Sequence, residues 1–587
     1  MWPRLSALIT IDYRSLAAVR IMCGGVMIWW LYVVAPDLSA FYTDNGVISR
    51  EVLNIHRHAS YPTLLRTFDS LALVWVVWAI GIVGGLMMIM GWRTRLATVM
   101  CWLVCLALVG RNPLATQGGD TLLTLVLFWG MFLPLGAVFS VDAALNPENR
   151  RGEGVANIAT FGLLLQVMYV YVIGALLKTS SVWVPYGSAV YVALHLDTLA
   201  TPLAHWFRQY ALPMMVLTWF VYWIELLTPV LLMFPDLRQR VRSVSLALLM
   251  MMHLGFRVFL NIGHFWLASL TSLASFIPAS WWRTLGARYW RGRRYEIWYD
   301  RDCGFCWKVA SILREFFLPR DTPLRPAQDH PEIGPLLERE TSWVVVDHTG
   351  QRRLHWDAVA YVMRQSPLLL PIGWLATIYG LIGLGRPTYD LIGNSRGALG
   401  RISAVVLRPR TTLFTLSLPM KALAVCAILF CFGWNMRAVV GWSVTSPLFP
   451  QPVIEFGRAF GWTQHWNMFA PAPPPKDGYP VAIGTTADSE TWDVFQDPPT
   501  TVNLTRPDYI AGVFKSHRWR RYANHVLWTG ASTQPLLISE FGRFLCFRSA
   551  ERGINVETVE IIWLTNETLA GFRSKDAQFR EPVYTCP

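Results

Sequence analysis

The chain has 587 residues, is 53% hydrophobic and only 15% charged, and its mean hydropathy is +0.35. This excludes an ordinary soluble protein and implies a chain that crosses a bilayer repeatedly. The net charge of +13 does not argue for nucleic acid, because the arginines fall in short loops between apolar runs and no nucleic-acid motif accompanies them.

Apolar runs at 16–36, 71–91, 96–110, 121–139, 157–177, 212–234, 243–262 and 264–278, with a later one at 421–442, predict about nine membrane spans. Met1–Asp12 holds no small-residue cleavage site after a short apolar core, so the first run is read as a retained span. With the amino terminus cytoplasmic, Arg93, Arg95, Arg150, Arg151, Arg238, Arg240, Arg242, Arg283, Arg288, Arg291, Arg293 and Arg294 share one side. The alternate loops carry fewer, with Arg50, Arg57 and Arg66 in a long one and Arg111 in a short one. The positive-inside rule then puts 283–420 in the cytoplasm and 443–587 outside. The fold class is a polytopic α-helical membrane protein with a cytoplasmic α/β domain and an extracytoplasmic C-terminal α+β lobe. Its boundaries are 1–290, 291–415, 416–445 for the ninth span, and 446–587.

In chain order, Asp44-Asn45-Gly46 reads as a turn. Gly118-Gly119-Asp120 reads as a helix start, with the carboxylate favoured by the helix dipole. Lys178, the only lysine in the first 300 residues, ends an apolar run. An ionisable group at membrane depth costs roughly 2.5–3.5 kcal/mol at mid-helix and is a functional candidate by default, although a snorkelling anchor would look the same. The aromatic loop 179–211 suits the membrane interface.

Glu225 lies near the middle of the sixth span. His253, Arg257, Asn261 and His264 follow, within roughly 80° of one helix face. Plain packing would pair Glu225 with Arg257; a functional arrangement would make these residues and Asp120 the wall of a pocket shared with Lys178. His253 and His264 are too isolated for a metal site, and none is expected.

The insert opens with the strand-like Glu296-Ile297-Trp298-Tyr299, the turn Asp300-Arg301-Asp302, and Cys303-Gly304-Phe305-Cys306 at the start of a helix running to about Phe317. A helix amino end stabilises a thiolate at Cys303, and Cys306 one turn later is placed to resolve a mixed disulfide. Residues 368–385 are apolar but broken by Pro371, Gly373, Gly380, Gly383 and Gly385. They are read as a helix packed on this domain or lying on the membrane, since Arg386, Arg396, Arg401, Arg408 and Arg410 follow. In the tail, Gln464-His465-Trp466-Asn467-Met468-Phe469-Ala470-Pro471 reads as an aromatic segment on the membrane surface, followed by a Pro-rich linker. Strands are expected at 479–486, 490–495 and 556–564 around a helix near 535–550, and Cys546 and Cys586 as a candidate disulfide. The span cysteines Cys101 and Cys105 share a helix face and read as core packing.

Tyr171, Gly174, Lys178 and Trp183 together resemble the segment that holds the catalytic lysine in the vitamin K-dependent gamma-carboxylase family. Around them, Phe41-Tyr42-Thr43-Asp44-Asn45-Gly46, Gly91-Trp92-Arg93-Thr94-Arg95, Phe132-Leu133-Pro134, Glu225 with Pro229, and His253 through Ile262-Gly263-His264-Phe265 resemble the horizontally transferred transmembrane (HTTM) domain. Asp120 departs from the pattern, standing where the vertebrate carboxylase carries a histidine. Tyr299-Asp300-x-Asp302-Cys303-x-x-Cys306, with Ser342 to Asp347, Gly350 and Asp357-Ala358-Val359, resembles the DCC family of thiol-disulfide oxidoreductases, which implies a thioredoxin-like domain.

The resemblance implies an enzyme of the cell membrane using a reduced quinone of the vitamin K or menaquinone type. Lys178, as base, and His253 would be catalytic, with Asp120, Glu225, Arg257, Asn261 and His264 around the cofactor; burial beside Arg257 would keep the amine neutral. A protein or peptide substrate on the outer side and a cytoplasmic thiol partner for the redox-active Cys303 and Cys306 are the expected partners besides the lipid bilayer, with no nucleic acid. Two other readings are a membrane-anchored thiol-disulfide oxidoreductase without carboxylase chemistry, and a transporter or receptor for a lipid or small molecule.

Overall fold

A computed structural model describes residues 2–55, 63–146, 152–234, 239–289, 295–409, 415–441, 449–507, 509–533, 535–569 and 573–587. Arg57, Arg150, Arg151, Arg238, Arg291, Arg293, Arg294 and Arg410 lie outside the described residues. The membrane bundle comprises α1 (Tyr13–Val34, continued through a 3-10 turn to Tyr42), α2 (Leu71–Met90), α3 (Thr94–Arg111), α4 (Gly118–Gly130), α5 (Ile158–Leu176), α6 (Ala211–Leu232), α7 (Arg240–Phe259) and α8 (Phe265–Leu273). With a later helix, Leu418–Val439, seven helices among the described residues are long and apolar enough to cross a bilayer. The runs expected as spans at 121–139 and 264–278 instead form the short α4 and α8. The 13 residues of α4 reach about 20 Å at 1.5 Å per residue, short of a hydrocarbon core of about 30 Å.

Local chemistry sets the helix ends. Ser70 caps α2 through Leu73 N, and Asn157 and Thr160 form a reciprocal capping box on α5. Gly91 ends α2 at φ +64°, the left-handed position glycine favours. Asp142 then accepts from the backbone of Arg93 and Thr94 and from the Thr94 hydroxyl, which accounts for the tight Gly91–Arg95 turn. Buried Arg20 donates to the carbonyls of Leu135, Val138 and Phe139.

The α/β domain contains β1 (Tyr295–Tyr299), α9 (Gly304–Phe317), β2 (Leu324–Pro326), α10 (Ile333–Glu340), β3 (Val344–Asp347), β4 (Arg352–Arg353) and α11 (His355–Gln365). Its sheet order is β2-β1-β3-β4, with β2 parallel to β1 and the other pairs antiparallel. Residues 368–385 do not form one helix. They make a short helix, Leu370–Leu375, and the start of α12 (Tyr379–Asn394), followed by α13 (Arg396–Val406). Trp356 Nε1 bonds Ala376 O, and Lys308 Nζ bonds Ser403 O at 2.8 Å, so these helices pack on the domain. The domain meets the bundle at the end that carries the amino terminus, where Phe139 N donates to Glu315 and Trp92 Nε1 to Val406 O.

After α14 (Leu418–Val439) and α15 (Gln451–Ala459), the chain turns back into the bundle. Trp462 and Trp466 are among its largest fully buried side chains. The expected surface segment is therefore an inserted one. Its non-helical backbone is tolerable at that depth because protein covers it.

The C-terminal lobe caps the far end of the bundle. It holds β5 (Lys476–Thr486), β6 (Thr491–Asp493), β7 (Thr500–Thr501), α16 (His517–Thr533), α17 (Pro535–Glu551), β8 (Val556–Leu569), β9 (Arg573–Arg580) and β10 (Tyr584–Thr585), with an antiparallel sheet ordered β9-β8-β5-β6-β7. A disulfide joins Cys546 to Cys586. Docking runs through the Phe41–Gly46 region: Arg543 donates to the carbonyls of Asp44 and Gly46, and Tyr522 to that of Val47.

Candidate functional site

Lys178 follows the last turn of α5, its amide bonded to Ala175 O. Its side chain forms an ion pair with Glu225 of α6, and the two residues are 6% and 8% exposed. The ammonium also lies over the Trp183 ring, 4.8 Å from its centroid. Arg257, expected beside the lysine, is exposed on α7. Of the α7 residues near that face, His253 turns into the bundle while Arg257, one turn on, turns out. Asn261 also fails as a pocket wall. Helix α7 ends at Phe259, and Asn261 is an exposed connector whose amide bonds Leu199 O.

His253 is buried one layer from the ion pair. Its Nε2 meets the Tyr171 hydroxyl at 2.9 Å, and Phe256 and Phe265 flank its ring. Its Nδ1 has no hydrogen-bond partner among the described residues. Gly174, one turn before Lys178, keeps the wall open: a Cβ there would stand 3.3 Å from Trp466 O and 4.0 Å from a Glu225 oxygen.

Asp120 and His264 belong to a second cluster. Asp120 is fully buried and accepts from Arg518 of the lobe at 3.0 and 3.2 Å, from Gln117 N at 2.9 Å, and faces His264 Nε2 at 3.2 Å. Gln117 Nε2 meets His264 Nδ1 at 3.0 Å, and Trp30 stacks on the same imidazole. Burial works against the Arg518 charge, but Asp120 outweighs it and holds the guanidinium above its ordinary range. Gly119 permits this approach, since a Cβ would lie 2.9 Å from His264 and 3.0 Å from the Phe265 backbone. The single pocket expected from sequence is thus two neighbouring clusters, with Phe265 between them.

No sequence signal marks Arg518, and Gln464 and Trp466 are both expected at the membrane surface. Gln464 exchanges hydrogen bonds with Gln166 of α5 and accepts from Trp466 Nε1, while the carbonyls of Phe469 and Pro471 bond Trp183 and Ser180. Burial alternates along Gln464, His465, Trp466 and Asn467, but the residue types do not, so the sequence carries no period that would place this stretch between packed faces.

At the other end of the bundle, Cys303 is the residue before α9, its sulfur accepting from Cys306 N at 3.2 Å, and the two cysteines are joined as a disulfide. Cys303 is half-buried.

The family model of the HTTM domain matches residues 9–281, which hold Lys178, Glu225, His253, Asp120 and His264 and stop short of the α/β domain, the inserted segment and the lobe. No curated protein and no solved structure matches the chain. With its several apolar helices long enough to cross a bilayer, the chain is a multi-pass membrane protein in contact with lipid.

Proposed function

We propose that the protein is a membrane enzyme whose HTTM domain carries out proton-transfer chemistry at Lys178, of the kind the gamma-carboxylase resemblance implies. The buried Lys178–Glu225 pair carries this reading. An ammonium held by a carboxylate is not a base, so the working unit is the pair: a proton passing from Lys178 to Glu225 leaves a neutral amine and a neutral acid in a low-dielectric site. The lysine can then take a proton from a bound hydroxyl, the resulting ammonium facing the oxygen it has deprotonated while protonated Glu225 remains a neutral hydrogen-bond partner. Arg257 has no part in this.

The residues present fit a quinol. His253 Nδ1 is buried without a partner among the described residues, Tyr171 orients that ring, and Trp183 and Phe265 supply aromatic surroundings. Such a group would bring an acidic hydroxyl and redox capacity; Lys178, Glu225 and His253 would hold it and manage its proton. The test is oxygen-dependent epoxidation of a reduced vitamin K analogue by the purified chain. Product is expected from the native protein, lost with Lys178→Ala and kept with Cys303→Ser. Absence of product from the native protein overturns the reading.

A second activity has its own observation. Cys303 and Cys306 sit at a helix amino end beside β1 of a β2-β1-β3-β4 mixed sheet, an arrangement that supports a thioredoxin-like, DCC-type thiol-disulfide oxidoreductase. Disulfide reduction lost with Cys303→Ser and unchanged in Lys178→Ala is expected. The two centres lie at opposite ends of the bundle, so each serves its own substrate.

A further inference from the structure

Helix α16 turns a polar face toward the mouth of the bundle. At 100° per residue, His517, Arg520, Arg521 and Asn524 fall within about 100° of one another. The His517 ring bonds the Asn261 carbonyl, and Arg521 Nε donates to Thr116 O at 3.3 Å, so this face looks onto the bundle's connecting loops. Three enclosed polar atoms here are unmet among the described residues: Arg520 Nε, His517 Nδ1 and Asn524 Oδ1. The Arg520 guanidinium makes no hydrogen bond or ion pair among the described residues.

Among the described residues no carboxylate touches Arg520. Asp120 is committed to Arg518 and faces His264. Asp477, which acts on Arg520 across the gap, is engaged by Thr198 N and Oγ1, both at 2.7 Å. Burial raises the Asp477 pKa, against the pull of those bonds. Burial pushes Arg520 down to about 10 and keeps the His517 imidazole neutral, with Arg520 adding to the latter effect. Both arginines are half-buried, and two guanidiniums drawn partly out of water with so little direct compensation favour an anion that joins them. The positive end of α16 adds to the same potential.

We infer that this face of α16 is a binding site for an oxyanion, a carboxylate or phosphate, held by Arg520 and Arg521, with Asn524 and His517 as neutral contacts. The site lies outside the Lys178 cluster and does not depend on the chemistry proposed there. The occupant is either a soluble anion or the headgroup of an acidic lipid drawn to the far end of the bundle; both present the same oxygens.

The test uses the full chain in nanodiscs of phosphatidylcholine, with radiolabelled inorganic phosphate as the probe in equilibrium dialysis. Saturable binding is expected, weakened at least about tenfold by Arg520→Gln or Arg521→Gln, equivalent to about 1.4 kcal/mol. Arg520→Lys should recover part of it, and Lys515→Gln should not change it. Chain reconstituted with phosphatidylglycerol and then stripped into detergent forms the second arm. Acidic lipid retained by the native chain and lost with Arg520→Gln, seen by native mass spectrometry, assigns the headgroup as the occupant. No phosphate binding together with no retained lipid overturns the inference. So does binding that Lys515→Gln weakens as much as Arg520→Gln, which would report the general field of the lobe.

Discussion

The Lys178–Glu225 pair and the Asp120–Arg518–His264 cluster are both buried cation–carboxylate contacts near the far end of the bundle, yet their surroundings differ. Asp120 spends its oxygens on a guanidinium, a backbone amide and an imidazole, and each partner has further contacts of its own. Lys178 and Glu225 have each other and an aromatic ring, and beside them His253 keeps an unused ring nitrogen. Burial of charge alone therefore does not separate a lock from a reactive site. Unmet polar atoms lie beside both, His253 Nδ1 by the first and Gln117 Oε1 by the second; what differs is reach, since Asp120 ties the bundle to Arg518 of the lobe while the pair at which we propose the chemistry joins two helices of the bundle.

The sharpest test of that contrast is Asp120→Ala. It strands Arg518 in the interface and should cost about 3–5 kcal/mol, read as a lowered unfolding midpoint and a lobe newly open to protease. A cost near zero would remove the distinction. The double replacement Lys178→Met with Glu225→Leu should stay within about 1 kcal/mol of the native stability, because an isolated buried pair exchanged for apolar groups is often neutral, while all Lys178-dependent turnover disappears. Gln464→Leu leaves the Gln166 amide unpaired and should cost about 1–3 kcal/mol, with turnover falling if the inserted segment shapes the site. Gly174→Ala, pressing on Trp466 O, should cost about 1 kcal/mol and lower turnover more than stability.

A smaller effect belongs to the α/β domain. Asp347, held by Thr349, Gln351 and Arg353, has its pKa lowered to about 2, the Thr349 hydroxyl contributing most. A depressed carboxylate stabilises the fold above its unfolded value of about 3.9 and loses that contribution as pH falls toward 2. Acid unfolding of the domain, followed by its tryptophan signal, should shift in that window, and Asp347→Asn should flatten it.

Much of the fold was legible one stretch at a time. Hydropathy runs marked the long helices, Asp44-Asn45-Gly46 marked a turn, and a strand followed by Cys303-x-x-Cys306 marked the start of α9. Lys178 and Glu225 were visible as misplaced charges. Their pairing was not, because periodicity alone had set Arg257 on the same face as His253, and only the orientation of α7 in the bundle turns one inward and the other out. Gln464 and Trp466 were assigned to the surface because aromatic residues beside prolines suit an interface as well as a core.

What the sequence determined by itself is what depends on neighbours along the chain: a membrane-spanning helical protein, its caps and turns, and the placing of a cysteine pair at a helix start. The tertiary structure decided which charges meet. Asp120 finds Arg518 across 398 positions and Gln166 finds Gln464 across 298. Such contacts depend on how whole helices rotate and dock, so no local spacing could announce them.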